Sequence, residues 1–218
     1  MLLAHPYPAF IHALQERMAK VPLPGHEAHF KMAHAVRRAD PNPDPESTRD
    51  AAVLITFFEK NPCDWHLVMI RRTASPRQDK HAGQIAFPGG KKDPGDRDLM
   101  YTALREAEEE VALDLTAIDV LGQLSPLYIT VSRFMVHPFV AYSRTTPLLT
   151  RQEREIEEIL ELPFAAFLDP ASRQETRINL GSGIVLNHVP AFQINGHIIW
   201  GATAMILSEL IELLGTDL

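Results

Sequence analysis

The sequence contains a single cysteine, Cys63, among its 218 residues, and this scarcity excludes two kinds of protein. One cysteine cannot close an internal disulfide, and without a CxxC pair the chain lacks the usual ligands of a structural zinc ion. Secreted disulfide scaffolds and zinc-ribbon domains are therefore excluded. We expect a cytoplasmic protein in a reducing compartment, with Cys63 as an inert loop residue.

Basic charge and long apolar runs are also scarce. Lysine and arginine total 21 against 28 acidic residues, a net charge of -7, so a strongly basic face for nucleic acid is not expected. No run approaches 18 uninterrupted apolar residues, the length of a membrane-spanning helix. The first residues lack the charged and apolar regions of a signal peptide. Neither nucleic acid nor a membrane is therefore an expected partner.

Two common hydrolytic motifs are missing as well. The ten histidines lie without HxxxH spacing, so the sequence implies no zinc site. No GxSxG elbow is present, so it implies no serine nucleophile.

The pattern of apolar residues predicts one α/β domain with helices packed on a mixed sheet. The predicted helices are 8–20, 98–111 and 202–214, and a short acidic turn or helix is predicted at 155–160, halted by Pro163. The predicted strands are 51–58, 66–70, 118–121, 134–142, 184–193 and 197–200, the last two joined by a hairpin turn at Asn195–Gly196.

The chain is divided at a proline-rich stretch. Residues 1–48 are predicted to form an N-terminal helix and a Pro-rich linker packed on the domain, which spans 49–218. The apolar tail 202–214 has two interpretations, core of the domain or interface of a homodimer, and we favour the core.

The most informative segment is acidic. In the stretch 104–111, LREAEEEV, three glutamates at positions 106, 109 and 110 fall within an arc of about 100° on a helix. Carboxylates at this spacing repel one another unless a cation lies between them, and Mg²⁺ shares its shell with substrate phosphates. A solvated acidic face is the alternative interpretation. The preceding Gly89–Gly90 turn, which permits close backbone approach to a ligand, favours the metal site.

Residues 90–113, GKKDPGDRDLMYTALREAEEEVAL, resemble the Nudix box, whose consensus is G-x5-E-x7-R-E-U-x-E-E-x-G-U with U aliphatic. The resemblance implies a Nudix-type α/β/α sandwich with a mixed central β-sheet. It also implies a pyrophosphohydrolase that uses Mg²⁺ or Mn²⁺ on Glu106, Glu109 and Glu110, with Arg105 supporting their orientation. The chain departs from the consensus in a loop one residue longer, in Asp96 near the first Glu, and in Ala112 for the last Gly.

Segments around the box resemble the coenzyme A pyrophosphatase branch of the family. They are 83–90 (GQIAFPGG), 124–128 (LSPLY), 138–140 (PFV) and 199–204 (IWGATA). This branch implies hydrolysis of coenzyme A or acyl-CoA to 4′-phosphopantetheine, or its acyl form, and adenosine 3′,5′-bisphosphate. The alternatives are hydrolysis of ADP-ribose, a dinucleotide or a nucleoside triphosphate, and a non-catalytic nucleotide-sensing module. Retention of all three glutamates favours catalysis.

The remaining site residues are assigned on the same resemblance. Expected substrate-binding residues are Arg71, Arg72, Arg77, Gln84, Gly89 and Gly90, the arginines because their guanidinium groups bind phosphate as a fork. The general base, or an extra metal ligand, comes in the family from a loop distant from the box. Glu155 is our choice for it, and Glu158 is the other candidate. For both, a solvated helix is the alternative interpretation.

Overall fold

The structure is a computed structural model, and it describes residues 7–35, 47–73, 83–180 and 184–215. Its helices are α1 (Ala9–Lys20), α2 (Gly25–Lys31), α3 (Leu99–Val111), α4 (Phe164–Leu168) and α5 (Gly201–Leu214). Its strands are β1 (Arg49–Asn61), β2 (Asp64–Arg72), β3 (Ile85–Ala86), β4 (Gly89–Lys91), β5 (Ile118–Gln123), β6 (Leu127–Ile129), β7 (Phe134–Ser143), β8 (Ile156–Pro163), β9 (Arg173–Asn179), β10 (Val185–Ile194) and β11 (His197–Trp200).

A mixed sheet of eight strands forms the centre. Its main order is β3-β2-β1-β7-β5, with β4 on β1, β6 on β7 and β8 on β2. The β1–β7 pair is parallel and the other pairs are antiparallel. Strands β9, β10 and β11 form a second sheet of three. The predicted α/β fold with a mixed central sheet is confirmed.

Apolar side chains alternate between the two faces of the central sheet because successive residues of a strand point to opposite sides. One face of β1 and β2, with Leu54 and Val68, packs on α3. The other face, with Ile55 and Met69, packs on α1, α5 and the second sheet. Helices therefore cover both faces, as a layered α/β fold requires.

The C-terminal helix α5 belongs to the core. Its residues from Thr203 to Leu210 are all buried, as are Leu213 and Leu214. Of the two interpretations of this tail, the core is confirmed, and the homodimer stays a prediction. Ile11 and Leu14 of α1 are buried in the same core, so the N-terminal helix packs on the domain. The division at residue 48 also stays a prediction.

One predicted element is wrong. Residues 155–160 are not an acidic turn or helix, because Ile156–Pro163 is strand β8, paired antiparallel with β2 so that Leu160 lies opposite Met69. Ile156, Leu160 and Leu162 are buried while Glu157 and Glu158 are exposed. The sequence prediction gave weight to the run of glutamates, whereas pairing with the neighbouring strand and burial of the apolar residues determine the strand conformation.

Smaller features agree with the sequence. The predicted helix at 98–111 is α3, and Asp98 caps it by accepting a hydrogen bond from the Tyr101 N–H at 2.7 Å. Cys63 lies exposed in the turn between β1 and β2. Within the described ranges, no helix is long and apolar enough to cross a membrane.

Candidate active site

The glycine segment lies between two strands that separate. β1 and β2 pair near their turn, where Glu59 faces Trp65. Further along, β3 pairs with β2 and β4 pairs with β1, so the segment 85–91 fills the gap between them. The segment 85–91 places Gly89 and Gly90 at the face of the sheet that α3 covers.

Gly89 brings its backbone N–H to a buried carboxylate. The Gly89 N–H donates to Oε2 of Glu110 at 2.9 Å, and the Glu110 side chain is only 3% exposed. A Cβ at Gly89 would lie 2.3 Å from the Ala52 carbonyl oxygen, and the residue has φ +155°. Only glycine fits at this position.

Gly90 lies directly against a second carboxylate. A Cβ built on Gly90 would lie 2.5 Å from the carboxyl carbon of Glu106. The absence of a side chain at this residue therefore leaves the space that the Glu106 carboxylate occupies.

The orientation of α3 follows from its two faces. Ala103, Ala107 and Val111 pack on the sheet, while the three glutamates lie on the neighbouring arc. The helix ends at Ala112, which adopts the left-handed conformation with φ 54°. Glycine occurs at such C-terminal positions because it adopts positive φ without strain. This conformation explains why the consensus has Gly where this chain has Ala.

Arg105 connects the loop to the glutamates. Its Nε and Nη2 donate to the two oxygens of Asp96 at 2.9 and 3.0 Å. Nη2 also donates to Glu106 at 2.9 Å, and Nη1 donates to Glu109 at 3.2 Å. The Arg105 hydrogen bonds lower the pKa of Asp96 despite its burial. Asp96 therefore holds the arginine that orients two of the three glutamates.

The three glutamates share one face but differ in depth. Glu110 is buried, Glu106 is 16% exposed and Glu109 is 58% exposed. Burial raises the pKa of Glu110 to about 7, opposed by the Gly89 N–H and Arg72. Burial likewise raises the pKa of Glu106, opposed by Arg105. Negative charge on these two side chains is therefore disfavoured until a cation compensates it.

This donor set suits a hard divalent cation. All three candidate ligands are carboxylates, the oxygen donors that Mg²⁺ prefers. In the described part of the chain, no three His, Cys, Asp or Glu side chains already form a cluster that could hold a metal ion. Arginines and a backbone N–H satisfy the carboxylates instead. The close approach of Gly90 to the Glu106 carboxylate and the raised pKa values of Glu106 and Glu110 are consistent with a cation at this face.

The two candidates for the general base lie on different sides of the sheet. The charge of Glu155, an exposed residue, raises the pKa values of Glu106 and Glu110, so it lies within electrostatic reach of both. Glu158 instead accepts a hydrogen bond from Arg71 Nε at 3.2 Å. The segment of Glu155 is also attached to the end of α3, where the Gln152 N–H donates to Glu110 O at 2.9 Å, and this geometry favours Glu155.

The side chains of Arg71 and Arg72 also point to opposite faces of the sheet. Arg72 Nη1 donates to Oε1 of Glu110 at 3.4 Å. Arg71, the preceding residue of β2, points to the opposite face, where its Nη2 donates to His197 Nδ1 at 2.8 Å. Of Arg71 and Arg72, only Arg72 contacts one of the three glutamates.

The other predicted substrate residues are placed as follows. The carbonyl of Gln84 accepts from the Arg72 N–H at 3.1 Å, so Gln84 lies at the entrance to the glycine segment. Arg77 lies outside the described residues.

A cavity of about 520 Å³ is lined by residues of the box loop and the first turns of α3. Asp96 and Arg105 line it, but Glu106, Glu109 and Glu110 do not. It therefore lies beside the carboxylate face and is not the space in which a metal-bound diphosphate would lie.

Two contacts in this arrangement were not predicted from the sequence. Asp96, six residues after Gly90, was identified as an acid near the first Glu of the consensus, but its pairing with Arg105 was not predicted. Gln152, which binds both the end of α3 and the Glu155 segment, carried no sequence signal.

Comparison with known proteins agrees with this geometry. The NUDIX domain model matches residues 47–179, more than half of the chain. An uncharacterized Nudix hydrolase NudL of Yersinia enterocolitica is 36% identical over 81% of this chain and 87% of its own length. The NudL of Photorhabdus laumondii is 35% identical over 77% of this chain and 86% of its own. The chain therefore belongs to the Nudix family of hydrolases.

Solved structures give a looser likeness. A C. elegans Ap4A hydrolase in a binary complex superposes with a TM-score of 0.44 at 17% identity, covering 53% of this chain and 80% of its own. The NUDIX domain of Shewanella oneidensis NrtR, complexed with ADP ribose, gives a TM-score of 0.43 at 20% identity, covering 63% of this chain and 87% of its own. The family match confirms the predicted class, a Nudix pyrophosphohydrolase. Enzymes of this family generally use divalent metal ions such as Mg²⁺.

Proposed function

We propose that this Nudix hydrolase cleaves the diphosphate of coenzyme A or acyl-CoA with Mg²⁺ or Mn²⁺. The products are 4′-phosphopantetheine, or its acyl form, and adenosine 3′,5′-bisphosphate. The observation that carries the hydrolytic part is the contact of Gly89 and Gly90 with the carboxylates of Glu110 and Glu106. It puts a turn able to approach a diphosphate directly beside oxygen ligands for a cation.

The choice of coenzyme A depends on the segments that resemble that branch, and two of them are in contact. Thr203, in the segment 199–204, donates its hydroxyl to the carbonyl of Ile85, in the segment 83–90, at 3.0 Å. A third segment joins them through α5, because both oxygens of Glu209 accept from the Ser125 N–H at 3.2 Å. The three segments that resemble the branch therefore form one connected part of the fold, which supports coenzyme A as the substrate.

The side chains supply orientation and proton transfer. A divalent cation held by Glu106, Glu109 and Glu110 would, when bound, polarise phosphoryl oxygens and make the attacking water more acidic. Glu155 accepts a proton from the attacking water. The water oxygen bonds to phosphorus while the bridging P–O bond of the diphosphate breaks. Arg72, beside Glu110, offers positive charge to the departing phosphate. Arg105, fixed by Asp96, keeps Glu106 and Glu109 in place.

A cytoplasmic location and a homodimer remain parts of the proposal. The lone exposed Cys63 has no partner for an internal disulfide, as suits a reducing compartment.

The direct test is incubation with Mg²⁺ and coenzyme A in ¹⁸O-labelled water, with the products read by mass. We expect 4′-phosphopantetheine and adenosine 3′,5′-bisphosphate, one of them carrying a single ¹⁸O, and weaker turnover of ADP-ribose, a dinucleotide and a nucleoside triphosphate. If any of these three compounds is hydrolysed faster than coenzyme A, coenzyme A is not the preferred substrate.

A pair of variants tests the metal site. Glu109→Gln should lower turnover by several orders of magnitude while the protein stays folded, because a metal ligand is lost. Glu108→Gln is the matched control, since Glu108 is exposed on the same helix and outside the arc of the three glutamates. Near-normal activity of the Glu109 variant would contradict the metal role.

A further inference from the structure

The segment that carries Glu155 is attached to the end of α3. The last carbonyl groups of a helix have no partner within the helix. Here two of them accept from this segment: Val111 O from the Thr150 N–H at 3.0 Å, and Glu110 O from the Gln152 N–H at 2.9 Å. The chain before β8 is thereby held to the same helical turn that bears Glu110.

Gln152 also binds Glu155 with its side chain. Its Oε1 accepts from the Glu155 N–H at 3.0 Å, and its carbonyl accepts from the N–H groups of Glu155 at 3.2 Å and of Ile156 at 2.9 Å. On the other side, the Glu155 carbonyl accepts from the Thr73 N–H at 2.8 Å, just after β2. Both polar groups of the Glu155 backbone are therefore fixed, one by Gln152 and one by the end of β2.

We infer that Gln152 is a positioning residue that sets the distance between the Glu155 carboxylate and the Glu106–Glu110 face. It binds Glu110 through its backbone and Glu155 through its side chain, so it links the two sides of the site. The inference rests on the proposed function, because it matters only if Glu155 acts in the reaction. The bond of the Gln152 N–H to Glu110 O and the bond of the Thr73 N–H to Glu155 O hold the Glu155 backbone between the end of α3 and the end of β2.

The backbone hydrogen bonds of Gln152 already close this turn. If Gln152 becomes alanine, its backbone bonds to Glu110, Glu155 and Ile156 remain, and the shorter Oε1 bond to the Glu155 N–H is lost. The fold should persist, while Glu155 keeps only the longer bond to the Gln152 carbonyl and gains freedom. Displacement of a reacting group by about 1 Å costs about 100-fold in rate, so the effect should appear in kcat.

A double-mutant cycle tests the inference, using Gln152→Ala, Glu155→Gln and the double variant with Mg²⁺ and coenzyme A. We expect Gln152→Ala to lower kcat roughly 10- to 100-fold with KM unchanged. In the Glu155→Gln background it should have no further effect. Gln152→Glu, which keeps an acceptor oxygen at the same reach, should restore most of the turnover.

Two controls separate positioning from folding. Glu153→Ala changes an exposed neighbour in the same turn and should leave kcat and Tm unchanged. Gln152→Met fills a similar volume without an acceptor oxygen and should reproduce the loss, which keeps the test valid if the alanine variant folds poorly.

The outcomes distinguish this inference from the proposed function. If coenzyme A is cleaved and Glu155→Gln lowers kcat while the alanine and methionine variants are normal, only the role of Gln152 is overturned. Losses that multiply independently in the double variant also overturn it. If Glu155→Gln is itself fully active, the proposed base is wrong and Gln152 has nothing to position.

Discussion

Arg105 donates two hydrogen bonds of nearly equal length to Asp96, from Nε and Nη2 to the two carboxylate oxygens at 2.9 and 3.0 Å. Thr102 Oγ1 and the Asp93 N–H complete the shell of Asp96 at 2.9 Å each. This carboxylate therefore has four donors, and Arg105 receives a fixed orientation toward Glu106 and Glu109. The longer loop of this chain thus still presents an acid to the arginine of the box.

Replacing Asp96 should destabilise the protein in a pH-dependent way. Asp96→Asn removes the bidentate partner of Arg105, which keeps its contacts with Glu106 and Glu109. We expect a loss of about 2 kcal/mol in the free energy of unfolding at pH 7, the contribution of hydrogen bonds to a charged group. Because the folded pKa of Asp96 is lowered, its contribution is present in full above the unfolded pKa of about 3.9 and is lost progressively as pH falls from there through the lower folded pKa. Urea unfolding from pH 7 to pH 3 should show the difference between the two proteins beginning to narrow below about pH 4.

The matched control for that experiment is Asp98→Asn. Asparagine caps a helix about as well as aspartate, so this variant should keep nearly the wild-type stability at pH 7. An Asp96→Asn protein that stayed parallel to the wild type down to pH 3 would show that the Arg105 contact has no net effect.

Two adjacent glycines should respond differently to alanine. At Gly90 the three atoms nearest to the new Cβ all belong to the Glu106 carboxyl group, the end of a flexible side chain, so Gly90→Ala should fold but lose activity. At Gly89 the Cβ meets backbone atoms of Ala52 and Val53, so Gly89→Ala should lose stability. Thermal unfolding and turnover measure the two effects, with Gly95→Ala as a neutral control because a Cβ there meets nothing within 4 Å. A fully active Gly90→Ala protein would remove Glu106 from the site.

Arg72→Gln should change metal and substrate binding in opposite directions. Arg72 lies beside Glu110 and brings positive charge to the carboxylates. Its removal should tighten Mg²⁺ binding to the free protein, read as a larger shift of Tm at a given Mg²⁺ concentration, because a competing cation is lost. The KM for coenzyme A should rise, because an arginine near the diphosphate is lost.

Arg72→Lys is the companion variant, since it retains the charge without the fork. It should leave the Mg²⁺-induced shift close to that of the wild type while KM still rises. A parallel weakening of Mg²⁺ and substrate binding in Arg72→Gln would rule out competition between the arginine and the metal.

Ala112→Gly should stabilise the protein. Ala112 is exposed and lies at φ 54°, a conformation that costs an L-residue roughly 1–2 kcal/mol. Glycine removes this strain but gains freedom in the unfolded chain, so the net gain should be about 0.5–1 kcal/mol. Ala103→Gly, within the same helix, should instead cost about 1 kcal/mol or more. Denaturant titration measures both, and a destabilised Ala112→Gly protein would contradict the strain argument.

The sequence by itself determined the elements whose signals are local. The spacing of apolar residues predicted the length of α3, and Asp98 was recognised as its N-terminal cap. The positions of the three glutamates put them on one arc of the helix, because helix geometry depends only on nearby residues. The hairpin turn at Asn195–Gly196 was read from two residues for the same reason.

Only the tertiary structure decided which side chains meet across the sheet. Glu155 and Glu158 look equivalent in sequence, yet the antiparallel pairing of β8 with β2 puts Glu158 opposite Arg71. The segment that carries Glu155 is instead attached to the end of α3, where the Gln152 N–H donates to Glu110 O. Arg71 and Arg72 are separated likewise, because neighbouring residues of a strand point to opposite faces. Strand register depends on partners distant in the chain, so no local pattern of residues could have assigned these roles.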